Sequence, residues 1–230
     1  MSLKDKVVVI TGAGGALGLH LVKAAAADGA IVVGLNRSSV DAKNLPKNVS
    51  IKDDVDLAEF SDAKAAFDAI ASEHGRIDAL VNAAGGFAME ALEEGDTETW
   101  ARQYTMNMQT ALNACKAALP LLIAAPAGRI VNVGALGALS AGASMGPYAA
   151  SKTAVHKLTE SLAAEHKAGS LRVNAVLPST LNTAANRDAM PDADATKWVS
   201  LDELASVIFF LCGEQASAVT GALIPVAGRV

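Results

Sequence analysis

The sequence predicts a single α/β domain over 1–230, a doubly wound parallel sheet with helices on both faces. Three features predict it. Short β-branched runs recur along the chain, longer helical-period segments alternate with them, and a glycine-rich junction joins the first run to the first helix. Strands covered by helices on both sides read as continuous apolar runs rather than as alternating ones.

Val7-Val8-Val9-Ile10 is the first strand, and Ala16 to Asp28 is an Ala-rich helix. Ala30-Ile31-Val32-Val33 makes a second strand and Val49-Ser50-Ile51 a short third. Glu59 to His74 is a helix with Phe60, Ala63, Ala66, Phe67 and Ile70 on its apolar side. Ile77 to Val81 is a strand, Thr97 to Leu122 a long helix and Arg129 to Val133 a further strand. Pro147 to His166 is a helix opened by proline, whose missing N–H costs nothing there. Leu171 to Leu177 and Ala222 to Val226 are the last strands, with a helix from Leu201 to Leu211 between them. Right-handed crossovers put the ligand crevice at the carboxyl ends of the strands. Pro178 to Trp198 reads as a long irregular stretch, and one that long suits a substrate lid.

Hydrophobic residues make up 51% of the chain and aromatics only 4%, so Ala, Val, Leu and Ile fill the core. A net charge of −5 without a Lys/Arg block argues against nucleic acid or an anionic membrane as partner. The apolar stretch Ala117 to Ala127 is interrupted by Pro120 and is shorter than the roughly 20 residues of a membrane span. Val7 to Ile10 is too short for a signal-peptide core. Cys115 and Cys212 sit in apolar helical patterns and read as buried free thiols, which suits a cytoplasmic protein. His20, His74, His156 and His166 lack metal-ligand spacing and read as solvated helix residues, so no metal is expected. Trp100 reads as a packing anchor, and Asp192 and Asp194 as a solvated turn, with a carboxylate contact to an amide or guanidine edge of a ligand the alternative.

Thr11-Gly12-Ala13-Gly14-Gly15-Ala16-Leu17-Gly18 lies between strand and helix. Glycines there let the backbone approach a pyrophosphate, and the helix N-terminus supplies free N–H groups. A tight turn in any α/β protein is the bland reading, weakened by the strand before and the helix after. An acidic residue about 20 residues beyond such a loop holds the ribose of NAD. Asn36 stands there instead, followed by Arg37 and Ser38, which suit the 2′-phosphate of NADP. NADP(H) is therefore preferred, with NAD(H) the alternative.

Tyr148 and Lys152 are one helical turn apart and share a face. A phenol with an ordinary pKa of about 10 is a poor acid–base group at neutral pH, and a nearby ammonium lowers that value. A tyrosine packed over a lysine stem is the plainer alternative.

Tyr148-Ala149-Ala150-Ser151-Lys152 resembles the YxxxK signature of short-chain dehydrogenases/reductases, and the resemblance spans essentially the whole chain. It implies a Rossmann-type oxidoreductase with Tyr148, Lys152 and Asn107 as catalytic residues, Asn107 holding a water in a proton relay. The loop residues Gly12, Gly14, Gly15 and Leu17 then bind cofactor, as do Asn36, Arg37, Ser38, Asp56 and Leu57 at the adenine, Asn82, Ala83, Ala84 and Gly85, and Tyr148 and Lys152, the last at the nicotinamide ribose. The turn Asn82-Ala83-Ala84-Gly85 resembles the family's NNAG, and Pro178, Thr180 and Thr183 match its cofactor-facing segment.

Three residues depart from the family's pattern. Ala16 replaces a loop glycine, Ser179 follows Pro178 where a glycine is usual, and Ala135 stands at the family's catalytic serine. Dihydropteridine reductases carry alanine there, and they resemble this chain at Gly86-Phe87, at Val133 to Ala138, from Lys152 to Leu158 and from Leu177 to Trp198. That likeness implies reduction of a flat quinonoid or imine-like ring, with Gly86, Phe87, Ala135 and Leu136 at the substrate. Phe87 and Trp198 could wall a flat ligand or simply pack their loops. The alternatives are a general ketone/alcohol dehydrogenase and a dinucleotide-binding sensor or scaffold without turnover. Small-residue helix faces over Thr97–Leu122 and Pro147–His166 suit a homodimer or homotetramer.

Overall fold

The computed structural model describes residues 3–41, 43 and 45–230. Seven parallel strands form one sheet in the order β3-β2-β1-β4-β5-β6-β7. They are β1 (Val7–Thr11), β2 (Ile31–Leu35), β3 (Val49–Lys52), β4 (Ala79–Asn82), β5 (Arg129–Val133), β6 (Arg172–Pro178) and β7 (Leu223–Val226). The chain runs outward from β1 through β2 to β3, then returns to pair β4 on the other side of β1. That reversal opens a crevice above the carboxyl ends of β1 and β4, where open α/β sheets bind ligands.

Alternate strand residues feed two cores. On one face Val8, Ile10, Val32, Val81 and Val131 pack with α1 (Ala16–Ala27) and α7 (Leu201–Cys212). On the other, Val9, Val33, Leu80 and Ile130 pack with α2 (Phe60–His74), α4 (Thr110–Ala124) and α5 (Gly146–Glu165). Small side chains bring these helices close to the sheet, which explains how so aromatic-poor a chain builds both layers.

The long helix expected over Thr97–Leu122 is two helices, α3 (Thr97–Tyr104) and α4, joined by a π-helical turn at Thr105–Gln109. The Thr110 hydroxyl donates to the Met106 carbonyl at 2.8 Å inside that turn. Such bulges insert one residue into the helical ladder and re-aim the side chains around them. Pro120 does not end α4; it lies on the exposed side, where the freed carbonyl can meet solvent. The stretch Pro178 to Trp198 is more ordered than expected. It holds α6 (Ala184–Ala189), a short 3₁₀ turn at Ala195–Lys197 and a bridge between Leu181 and Val199. Asn182 and Asn186 supply the order by donating to the Ala195 and Leu181 carbonyls, bonds that no hydrophobic periodicity signals.

Candidate active site

The crevice is a cleft of about 660 Å³ running from the β1–α1 loop across the ends of β2 and β4. Gly12, Gly15, Leu17, Asn36, Arg37, Ser38, Asp56, Leu57, Ala83, Ala84 and Gly85 line it. The first turn of α1 fits an anionic ligand. Gly15 caps it without a side-chain bond, and it carries no acidic residue, so its N–H groups remain open. Gly18 is dictated by packing, because a β-carbon there would overlap the Gly12 carbonyl oxygen. Ala16, which replaces a loop glycine, is exposed on the cleft wall and obstructs nothing.

Asn36 does not project freely toward a ribose. Its Oδ1 accepts from the Gly14 N–H at 3.1 Å and its Nδ2 donates to the Ser38 carbonyl at 2.6 Å, so it braces the glycine loop. Gly14 itself does not line the cleft. At the far end Asn113 Nδ2 donates to the Leu57 and Ala58 carbonyls, fixing the Asp56–Leu57 corner. The opposite wall comes from Ala101, Arg102, Thr105, Met106 and Thr110, which sequence reasoning missed. The phase change at the π turn hides the contribution of these residues. Arg37 and Arg102 are the cations on the lining and Asp56 its carboxylate.

Asn82 lies beneath the cleft. Its Nδ2 donates to Asn132 Oδ1 at 2.8 Å, and Asn132 Nδ2 donates to Thr159 Oγ1 at 2.8 Å, so a buried polar chain ties β4 and β5 to α5. Above it the Ala84 N–H donates to Thr11 Oγ1 at 3.0 Å, locking the turn onto β1.

Asn107 sits in the π turn and is buried. Its Nδ2 donates to the Gly86 carbonyl at 3.0 Å and to Ser151 Oγ at 3.1 Å, and its Oδ1 accepts from the Gly86 N–H at 3.0 Å. A β-carbon on Gly85 would lie 2.5 Å from Asn107 Oδ1 and 3.3 Å from Lys152 Nζ, so both groups converge on that glycine. Lys152 Nζ donates to the Val133 carbonyl at 2.7 Å. Burial pushes the ammonium down to about 8 and the Tyr148 phenol up to about 12. The lowering expected for Tyr148 is therefore not a property of the chain alone. Desolvation is what raises the phenol pKa.

Ala135 is buried at the end of β5, next to half-buried Leu136. Phe87 is exposed and meets the Tyr148 ring edge-on, with centroids 4.8 Å apart. Pro178 ends β6 and Thr180 continues from it; Thr183 Oγ1 accepts from Asn186 N and caps α6. None of these three lines the 660 Å³ cleft, and neither do Gly86, Phe87, Asn107, Ala135, Leu136, Tyr148 and Lys152; Gly85, which does, lies against Asn107 and Lys152. Trp198 is buried, so it packs its own loop. His156 is also buried, against the solvated position expected, because β5 and β6 close over this part of α5. Nothing in its spacing distinguishes a metal ligand, but its place on the Tyr148–Lys152 stripe, one further turn along, was a usable signal. Cys115 and Cys212 are buried free thiols, as expected.

Residues 6–194 match the short chain dehydrogenase family. The chain is 32% identical over 240 residues to meso-2,3-butanediol dehydrogenase of Serratia marcescens, covering 99% of this chain and 95% of that protein. It is 35% identical over 240 residues to galactitol 2-dehydrogenase of Rhizobium johnstonii, covering 95% and 92% respectively. The structure of a gluconate 5-dehydrogenase from Burkholderia cenocepacia in complex with NADP and tartrate matches it with a TM-score of 0.89 at 28% identity, over 99% of this chain and 95% of that one. The chain therefore belongs to the short chain dehydrogenase family, the class its sheet order and cleft define. It is an oxidoreductase that uses a nicotinamide dinucleotide.

Proposed function

We propose that the protein is a reductase acting on a flat conjugated ring of the quinonoid dihydropterin type, with NADP(H) preferred over NAD(H). The single observation that carries this reading is the substrate wall. Ala135 offers a methyl group where a hydroxyl would polarise a simple carbonyl, and the Ala135 N–H is already taken by His156. Two neighbouring hydroxyls are committed elsewhere, Thr153 Oγ1 to the Ala138 carbonyl and Ser151 Oγ to the Tyr148 carbonyl, while Ser140 is exposed and Ser144 half-buried on the following loop. Losing one such donor costs about 3–4 kcal/mol of transition-state stabilisation for an oxyanion. A ring that delocalises the charge needs the donor less, and Phe87 beside Tyr148 presents an aromatic face to it.

A bound nicotinamide dinucleotide supplies the hydride. Tyr148, held protonated by burial, gives its phenolic proton to the ring nitrogen that gains the electron pair. Lys152 stabilises the phenolate left behind, and Asn107 orders the Gly86 backbone beside it. Arg37 and Ser38, at the ribose end of the cleft, receive the 2′-phosphate. The segment 178–198 covers the substrate.

A second reading is oxidation of a diol or sugar alcohol, favoured by the names of the relatives from Serratia and Rhizobium. NAD(P)H oxidation with quinonoid dihydropterin, set against NAD(P)+ reduction with meso-2,3-butanediol and galactitol, separates the two. Turnover on the alcohols alone overturns the first reading, and a Tyr148→Phe variant as fast as the original overturns both. Binding without turnover on any of these would instead favour a sensor.

We further propose a homodimer or homotetramer in the cytoplasm. Trp100, Tyr104 and Leu112 are apolar and partly exposed on α3 and α4, and the two unpaired thiols suit a reducing compartment. A monomeric mass in sedimentation would remove the first part.

A further inference from the structure

Tyr148, Lys152 and His156 follow one another at successive turns of α5 and form one stripe. The function proposed above uses the first two. His156 is only 2% exposed, and its Nε2 accepts the Ala135 N–H at 3.3 Å. Accepting there places the ring proton on Nδ1 and requires a neutral imidazole. The sequence makes room for this contact, since a β-carbon on Gly134 would lie 2.5 Å from Nε2 and 2.6 Å from Leu177 Cδ2. Lys152 holds the same segment two residues earlier, through the Val133 carbonyl. The strand end that carries Ala135 is thus pinned to α5 at two points, one a carbonyl and one an N–H.

We infer that His156 is a positioning residue: its hydrogen bond to Ala135 fixes the substrate wall and, through Val133, the Lys152 ammonium, so that bound substrate meets Tyr148 in register. This inference rests on the catalytic reading of Tyr148 and Lys152. In a site with no side-chain donor at position 135, the backbone there is what the substrate meets, and its placement decides turnover. Errors of about 1 Å at such a wall cost on the order of 100-fold in rate.

The imidazole is held neutral by burial, and the Lys152 charge adds to the effect. The charged groups acting on it, Lys152, Lys157 and Glu160, all come from α5; the segment just after β5 presents Gly134 and Ala135 to it, and β6 presents Leu177. Acidification that protonates His156 turns Nε2 into a donor facing an N–H, and the bond is lost.

The experiment compares His156→Leu with His156→Gln, whose Oε1 can accept the same N–H. Steady-state kinetics use quinonoid dihydropterin and meso-2,3-butanediol as substrates, and NADPH affinity is followed by fluorescence titration. His156→Leu is expected to lose on the order of 10- to 100-fold in kcat with NADPH affinity kept. His156→Gln is expected to recover most of kcat and to lose the acid limb of the wild-type pH profile, because its amide does not titrate. Equal kcat for wild type, Leu and Gln, or equal loss in both variants with the acid limb unchanged in Gln, overturns the inference. Should Leu fail to fold, the Gln profile alone decides. A Tyr148→Phe control with full activity would sink the catalytic reading instead, which keeps the two failures apart.

Discussion

Lys152 shows what a buried ammonium costs the fold. Its ammonium is buried with one carbonyl partner, and burial lowers its pKa from 10.5 to about 8. The unfolded chain therefore holds more protons than the folded one between pH 8 and 10.5, and stability rises with pH through that window. Below pH 8 the full penalty applies, roughly 3 kcal/mol for a shift of that size. Lys152→Met removes it but leaves the Val133 carbonyl short of a donor, a loss of about 1–3 kcal/mol. The net expectation at pH 7 is a gain of about 1 kcal/mol, or roughly 2–4 °C in thermal midpoint, together with loss of turnover. The gain should shrink as pH passes from 8 to 10.5, and calorimetry of both proteins across that range checks it. A variant less stable than the parent at pH 7 would show that the carbonyl bond outweighs desolvation. At this scale the sequence was legible for residue identity but not for environment. The YxxxK spacing located Tyr148 and Lys152, yet it could not show that desolvation raises the phenol pKa, because that depends on what closes over the helix from β5 and β6.

Among the elements, strands and most helices were readable because their apolar periodicity is a direct imprint of burial on one or two faces. The failures are local. The Thr97–Leu122 helix kept its period on either side of Thr105–Gln109, so a π turn that adds one residue was invisible, and with it the wall of Arg102, Thr105 and Met106. The 178–198 segment is ordered by side-chain bonds to backbone, such as those of Asn182 and Asn186, rather than by hydrophobic pattern. The β1–α1 junction was legible for the opposite reason: glycine there is required by close backbone approach. Gly18→Ala tests this directly. Its methyl must push α1 away from the Gly12 carbonyl, a strain of about 1–3 kcal/mol by analogy with overpacked cores. The shift also displaces the open N–H groups of the first helical turn. We expect a lower thermal midpoint and a cofactor affinity weakened by at least about tenfold, a change of about 1.4 kcal/mol. Unchanged NADPH binding in a titration would mean that the helix N-terminus is not where the diphosphate sits.

Across the whole molecule, the sheet reversal at β1/β4 opens a cleft that reaches the end of β2, and there the proposed choice of cofactor belongs. A preference for NADPH requires a positive group and no carboxylate beyond β2. Arg37 and Ser38 line that end, and Asn36 spends its amide on Gly14 and Ser38. A ligand that binds only the folded state stabilises it by RT ln(1 + [L]/Kd), about 2.7 kcal/mol at a hundred times Kd. For a chain of this length that is about 5–10 °C, at roughly 2–4 °C per kcal/mol. At equal concentrations NADPH should therefore raise the thermal midpoint by several degrees more than NADH. Asn36→Asp should reverse the order, since a carboxylate repels the 2′-phosphate and accepts from a free 2′-hydroxyl. The same substitution keeps an oxygen for the Gly14 N–H, so the glycine loop stays braced, but it gives up the bond donated to the Ser38 carbonyl. Equal shifts from both cofactors in the parent, unaltered in the variant, would place the discriminating contact outside the β2 end and remove Arg37 from the cofactor assignment.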